Sequence, residues 1–274
     1  RSIVDERLPK RAENGHKGTF GHVAVVGGHV GMTGAAKLAG LGALRSGAGK
    51  CTVLCEPRIV DALACELDVL MCAPTVYLDQ NAQLTRPEAF TGLHDAYVIG
   101  VGVDPFKVGP SFDALIYSDA FRVIDAGALT WLAKRPDAPL GERCILTPHP
   151  AEAARLLDTT TQLVQSDRFD AVTQIARKFG CVVVLKGAYS LISGPDCEVV
   201  VCPYGNAGLG TAGTGDVLAG LIAGLLAQGC SPWDAARVGV VWHALAGDIT
   251  RDEKGAHSMI AVDLIDRLAR GRRC

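Results

Sequence analysis

The chain has no Gly-Lys-Ser or Gly-Lys-Thr element, no Cys-x-x-Cys pair, no internal repeat and no low-complexity run. Each absence removes a class. Without the first there is no Walker-type phosphate loop. Cys51-x-x-x-Cys55 puts two thiols on one face of a strand, but no second ligand pair follows, so a zinc site is not expected. The longest apolar run, Val217 to Ala227, is well short of the roughly 20 residues that span a bilayer. Charge imbalance is also missing: the net charge is −2 and the pI about 6.4. The basic ends, Lys10-Arg11 and Arg270 to Arg273, are short and read as solvated tails. Neither a nucleic acid nor a membrane surface is an expected partner. No signal peptide is visible. The first residue is Arg, so the numbering is expected to begin inside a longer or processed chain.

What is present is a core. Of 274 residues, 49% are hydrophobic, with mean hydropathy +0.23, enough for one large α/β domain or two small ones. Six of the ten cysteines lie in or beside apolar β-like runs, which reads as buried, reduced thiols in a cytoplasmic protein.

The chemistry is concentrated in residues 205–216, Gly-Asn-Ala-Gly-Leu-Gly-Thr-Ala-Gly-Thr-Gly-Asp. Five glycines in twelve residues leave no regular element, and the apolar run that follows is long enough for three helical turns. A flexible loop therefore feeds a buried helix, with Asp216 at the junction. The first turn of a helix offers unpaired N–H groups and the positive end of the dipole, and glycines let a phosphate come close. An acid there either caps the helix or takes a proton from a hydroxyl beside the phosphate. A cap needs one residue rather than a glycine-rich run, which favours the anion cradle.

Taken in order, residues 1–21 are a polar lead-in without period. Strands are expected at His22–Gly28, Lys50–Cys55, Asp68–Ala73, Ala96–Gly100, Phe121–Asp125, Cys144–Leu146 and Cys181–Lys186. A hairpin is expected over Ser190–Ser193 and Glu198–Cys202. Helices are expected at Thr33–Ser46, Pro57–Leu67, Ser111–Tyr117, Ala128–Lys134, Glu152–Leu157, Asp167–Phe179, Asp216–Gln228, Pro232–Arg251 and His257–Arg270. The alternation implies a mainly parallel sheet covered on both faces, in one domain over residues 1–274. Gly27, Gly28 and Gly31 have the wrong spacing for a dinucleotide fingerprint. Ligands of open α/β sheets bind beyond the carboxyl ends of the strands. Gly27-Gly28, Gly100-Val101-Gly102, Asp125, Thr147-Pro148-His149-Pro150 and Lys186-Gly187 all follow strand ends, so they should meet on one edge.

The Gly-Thr-Gly-Asp loop resembles that of the ribokinase-like superfamily, whose fold is a three-layer α/β/α sandwich. More specifically, the chain resembles the ADP/ATP-dependent NAD(P)H-hydrate dehydratases. The matching pieces are His16-Lys17-Gly18, Val25 to Gly28, Gly34 to Ala36, Ala43 to Gly49, Leu146 to Ala153, Val184 to Gly187, Gly205 to Gly208 and Gly213 to Gly220. Thr-Pro-His-Pro and Gly-Asn-x-Gly separate that branch from vitamin and sugar kinases. The resemblance implies repair of NADH or NADPH hydrated at C6 of the nicotinamide. A nucleotide, ADP or ATP, phosphorylates the C6 hydroxyl; phosphate then leaves. It implies Asp216 as the base, kept ionised by its helix N-terminus, and Gly213, Thr214 and Gly215 as the phosphoryl cradle. Lys186, Gly187, Ala188, Tyr189, Ser190 and Asn206 would bind the nucleotide. Ala35, Gly100, Gly102, His149 and Asp216 would face the hydrated dinucleotide.

Mg²⁺ would ride on the nucleotide phosphates through water, with no metal ligand in the chain. A homo-oligomer, by resemblance a tetramer, is implied, with an NAD(P)H-hydrate epimerase as a fused or separate partner. Bland readings stand beside these: His149 as a turn residue, Lys186 as a snorkelling strand-end lysine, Asp125 as a cap. A small-molecule kinase and a non-catalytic nucleotide sensor are the competing functions. The chain departs from the family's usual pattern at Gly100 to Asp104, at Gly127 in place of a second acid, and at Ala151 and Ala212 in place of glycine.

Overall fold

The all-buried, β-branched segments form the middle of one sheet in the computed structural model, which describes residues 3–65, 69–75, 92–109, 111–135 and 139–271. The strands are β1 (His22–Val26), β2 (Lys50–Cys55), β3 (Met71–Pro74), β4 (Ala96–Ile99), β5 (Arg122–Ile124), β6 (Cys144–Leu146), β7 (Val182–Leu185), β8 (Leu191–Ser193) and β9 (Val200–Val201). Their spatial order is β3-β2-β1-β4-β5-β6-β7-β8-β9. The first seven are parallel; β8 and β9 add an antiparallel hairpin edge. The expected mainly parallel sheet, with its hairpin, is what the chain forms.

The helices are α1 (Ile3–Arg7), α2 (Thr33–Arg45), α3 (Val60–Ala64), α4 (Phe112–Ile116), α5 (Ala126–Leu132), α6 (Pro150–Leu156), α7 (Thr161–Ser166), α8 (Arg168–Phe179), α9 (Thr214–Ala227), α10 (Pro232–Lys254) and α11 (Ala261–Gly271). Alternate strand residues feed two cores. Val23 and Val25 pack with α2, α9, α10 and α11; Ala24 and Val26 pack with α4, α5, α6 and α8. Three helices differ from expectation, one of them α7, which was not expected and which Thr160 caps by accepting from the Leu163 N–H. Pro57–Ile59 is a 3₁₀ turn before α3, and the expected end of that helix, at Leu67, lies outside the described residues. The polar lead-in contains α1, held by the fully buried Val4.

Small residues set how closely the site helix packs. A Cβ at Gly220 of α9 would lie 1.9 Å from the Ala39 carbonyl of α2, and one at Gly42 of α2 would lie 2.4 Å from the Val217 carbonyl. The helices can meet at this distance only with glycine there, which holds α9 close against α2. Among the described residues no helix is long and apolar enough to cross a membrane.

Candidate active site

β1, β4, β5, β6 and β7 run parallel, so the segments after Val26, Ile99, Ile124, Leu146 and Leu185 all emerge at one edge. The N-terminus of α9 arrives at the same place. A Cβ at Gly215 would lie 3.4 Å from Lys186 Nζ and 4.0 Å from Asp125 Oδ2.

The cradle itself is rigid. Gly213 precedes α9 with φ +91, and a side chain there would strike Leu38 and Ala261. The Thr214 hydroxyl donates to the carbonyls of Leu209 and Thr211, at 2.7 and 3.0 Å. The helix starts at Thr214 with no side-chain cap, so Asp216 lies inside its first turn and does not cap it. Its carboxylate accepts no hydrogen bond among the described residues. Sequence reasoning expected the helix N-terminus to keep Asp216 ionised at ordinary acidity. Instead burial, with the nearby Asp125 charge, raises it to about 7 against the opposing pull of Lys186. Desolvation outweighs the dipole here.

Lys186 leaves β7 and its ammonium donates to Asp125 Oδ1 at 2.7 Å; Glu152 Oε2 is 4.0 Å away. Burial opposes the charge on Lys186, but Asp125 and Glu152 overcome it and hold the lysine firmly protonated. Its side chain is 19% exposed, so it is a half-buried, ion-paired group rather than a snorkelling one. Asp125 is 2% exposed and occupies the N-cap place of α5 without capping it, so the capping reading of Asp125 is also set aside. Burial raises Glu152 as well, with Asp125 adding to the effect and Lys186 opposing it.

His149 is the N-cap of α6. Its Nδ1 accepts from the N–H of Ala151 and Glu152, at 3.1 and 3.4 Å, while Glu152 Oε2 accepts from the His149 N–H at 2.8 Å. Burial and the Lys186 charge lower its pKa, so the neutral ring carries its proton on Nε2, 3.5 Å from Glu152 Oε1. On the other side of the edge, a Cβ at Gly102 would meet Met32 O at 2.6 Å and Ala35 Cβ at 3.1 Å. Gly100, with φ +112, leaves no room beside the Asp125 carbonyl, where a Cβ would sit 2.1 Å away. Ala35, Gly100, Gly102 and His149 thus line the same strand-end edge.

Residues 23–270 match the protein family described as NAD(P)H-hydrate dehydratase. The chain belongs to that family. It is 42% identical over 252 residues to the ADP-dependent (S)-NAD(P)H-hydrate dehydratase of Neisseria meningitidis serogroup B, covering 89% of this chain and 82% of that protein. It is 39% identical over 262 residues to the bifunctional NAD(P)H-hydrate repair enzyme of Coxiella burnetii, covering 95% of this chain and 52% of that protein. It therefore spans about half the length of the bifunctional relatives it matches. A Bacillus subtilis ADP/ATP-dependent NAD(P)H-hydrate dehydratase, co-crystallised with ATP/Mg²⁺, superposes with TM-score 0.85 at 33% identity, covering 98% of this chain and 95% of that one. The ribokinase-like α/β fold is thereby shown.

Within this dehydratase-family site, the departures at Gly127 and Ala212 have structural readings. A Cβ at Gly127 would be 2.2 Å from the Val103 carbonyl, so the position is closed to any side chain while the Gly100–Asp104 turn keeps this path. Ala212 is exposed and has negative φ, so it needs no glycine.

Three residues were not reached by sequence reasoning. Arg168 of α8 donates to the Ala188 carbonyl at 2.5 Å and to the Leu185 and Lys186 carbonyls at 3.3 and 3.5 Å. It clamps the turn through Gly187 (φ +144), Ala188, Tyr189 (φ +53) and Ser190. Asp248 of α10 accepts from the Gly205 N–H and the Asn206 amide, both at 3.0 Å, while Asn206 Oδ1 accepts from Gly208 N–H. Asn206 is thereby bound into its own loop. His243, buried and pushed down to about 4, donates from Nε2 to the Thr214 carbonyl at 2.9 Å. None has a local sequence signal, since each acts on a loop distant along the chain.

Proposed function

We propose that the chain is an ADP-dependent (S)-NAD(P)H-hydrate dehydratase, with ATP as the alternative donor. The observation that carries this is an unpaired carboxylate, Asp216, poised near neutral pH in the first turn of a glycine cradle beside a half-buried, ion-paired lysine. Such a group is half basic at pH 7, which suits a general base. The hydroxyl oxygen at C6 bonds to the terminal phosphorus of ADP, the anhydride bond breaks, and AMP departs. The hydroxyl proton passes to Asp216. The C6–O bond then breaks with electron push from the ring nitrogen. The C5 proton leaves with the phosphate and the C5–C6 double bond returns. Hydroxide leaves poorly and phosphate well, which is why a nucleotide is consumed.

The N–H groups of residues 213–215 would take the charge of the transferring phosphoryl group. The turn 186–190 would hold the rest of the nucleotide, and the Ala35, Gly100–Gly102 and His149 side the dinucleotide. Among the described residues no cluster of three His, Cys, Asp or Glu side chains could hold a metal. Lys186 already answers the Asp125 charge. This donor set suits Mg²⁺ held by the nucleotide phosphates and water rather than by the chain. When bound it would offset phosphate charge. The free thiols at every described cysteine support a reducing, cytoplasmic setting. A homo-oligomer, working with a fused or separate epimerase, completes the reading.

The test mixes the protein with hydrated NADH, Mg²⁺ and either ADP or ATP. Return of the reduced-nicotinamide absorbance with one phosphate per turnover is the expected result. Accumulation of a phosphorylated product would make the protein a kinase instead.

A further inference from the structure

Asp125 is fixed more firmly than an ion-pair partner requires. Its N–H donates to the Ile99 carbonyl at 3.0 Å and its own carbonyl accepts from Ala128 N–H at 3.1 Å. Gly100 packs directly over that carbonyl, and Gly127 donates to the Gly100 carbonyl at 3.1 Å. Ala126 follows in the left-handed region with φ +48, a conformation that persists only where the surroundings enforce it. The outcome is one carboxylate, 2% exposed, that ignores the helix it could cap and points its charge at Lys186. A buried ion pair is poor evidence of stabilisation, because its desolvation offsets its attraction. The strain and the forgone cap indicate a role in the site.

We propose that Asp125 is a positioning residue for phosphoryl transfer: it fixes the Lys186 ammonium beside the glycine cradle and places its own carboxyl group next to Asp216. This rests on the dehydratase reading. Lys186 is then held in one place to meet the phosphates, and Asp216 is kept basic by a neighbour that does not itself touch substrate. The charged and titratable groups that act on Asp216, or on the groups linked to it through Asp125 and Lys186, come from four elements. They are Asp125 after β5, Lys186 after β7, Glu152 with His149 and Arg155 on α6, and His243 on α10 beneath Thr214. Of the charges acting on Asp216, Asp125 raises its pKa and Lys186 lowers it.

The test is a ¹³C NMR titration of the Asp216 carboxyl in the full chain, its signal assigned by loss in Asp216→Asn. The wild-type midpoint should lie near 7. Asp125→Asn keeps the size and an acceptor for Lys186, and should move the midpoint about one pH unit or more lower. The acid limb of kcat should move with it, and Asp125→Glu, which keeps the charge, should restore both. A purely structural role for Asp125 would change the melting temperature and leave the midpoint in place, and that result overturns the proposal. Asp125→Ser is the second neutral variant if Asp125→Asn does not fold. A wild-type midpoint near 4, the ordinary carboxylate value, would overturn it without any variant. Loss of the dehydratase reading would show separately, as a folded, ADP-binding protein with the expected titration and no turnover of hydrated NADH.

Discussion

The Lys186 ammonium lies 2.7 Å from Asp125 Oδ1 and 4.0 Å from Glu152 Oε2, so one cation answers two buried carboxylates at the foot of the glycine cradle. With Asp216 nearby, the site holds more acid than base, and that imbalance determines how its variants should behave.

Lys186→Ala removes the shared cation. Breaking a fully buried pair from one side costs about 3–5 kcal/mol; with Lys186 19% exposed this is an upper bound, a fall of at most roughly 6–20 °C in Tm for a chain of this size. The acid limb of kcat should move to higher pH, because Lys186 holds the Asp216 pKa down. The apparent KM for ADP should rise more than that for hydrated NADH. A calorimetric scan and pH-dependent kinetics check both. An unchanged Tm together with an unchanged KM for ADP would remove Lys186 from the site.

Gly215→Ala separates folding from binding. Gly215 is helical, and its Cβ would make only ordinary contacts, 3.4 Å from Lys186 Nζ and 4.0 Å from Asp125 Oδ2. Stability should hold or rise by up to about 1 kcal/mol. The added methyl sits where a phosphoryl group must approach the backbone, so ADP affinity should fall about tenfold or more, some 1.4 kcal/mol. Isothermal calorimetry reads this, and wild-type affinity would place the phosphates elsewhere.

His149→Ala removes a helix cap and should cost about 1 kcal/mol. The neutral ring accepts two N–H bonds in the folded chain, and its pKa is lowered there. Its stabilisation is therefore full above about 6.5, the ordinary histidine value, and shrinks as pH falls below it. ADP binding should survive and the KM for hydrated NADH should rise. A large loss of ADP binding in a folded variant would assign His149 to the nucleotide.

The sequence disclosed the strand-end edge because parallel strands place their following residues together, and each strand was marked by its apolar run. The glycine-rich loop ahead of a buried helix was legible as a run, but the reasons for individual glycines were not: Gly205 and Gly213 have positive φ, and a side chain at Gly208 would strike Met259. Asp125 and Glu152 stood in recognised segments, but that both face Lys186 depends on β5, β6 and β7 lying side by side. Arg168, Asp248 and His243 lie 17 to 43 residues from the groups they hold, beyond the reach of any periodicity. The capping box was readable in part, since Glu152 follows His149 by three, but histidine is not its usual first member. The basicity of Asp216 is where sequence and structure differ most: burial and the Asp125 charge raise it to about 7. A helix dipole is visible in a sequence, whereas desolvation and a neighbouring carboxylate appear only when the chain has folded.

Asp216→Asn is the most direct test of the account. The wild-type carboxyl is held neutral to higher pH than in the unfolded chain, so stability falls as pH rises from about 4, the ordinary carboxylate value, to about 7 and is level above that. The variant should therefore melt higher than wild type at pH 8, by about 2–4 °C for each kcal/mol relieved. It should still bind ADP. Its kcat on hydrated NADH with ADP should fall by about a thousandfold, within the range of general-base loss. A folded Asp216→Asn protein that keeps more than about a tenth of wild-type kcat, less than even the weakest general-base effect, would contradict the claim that Asp216 is the base.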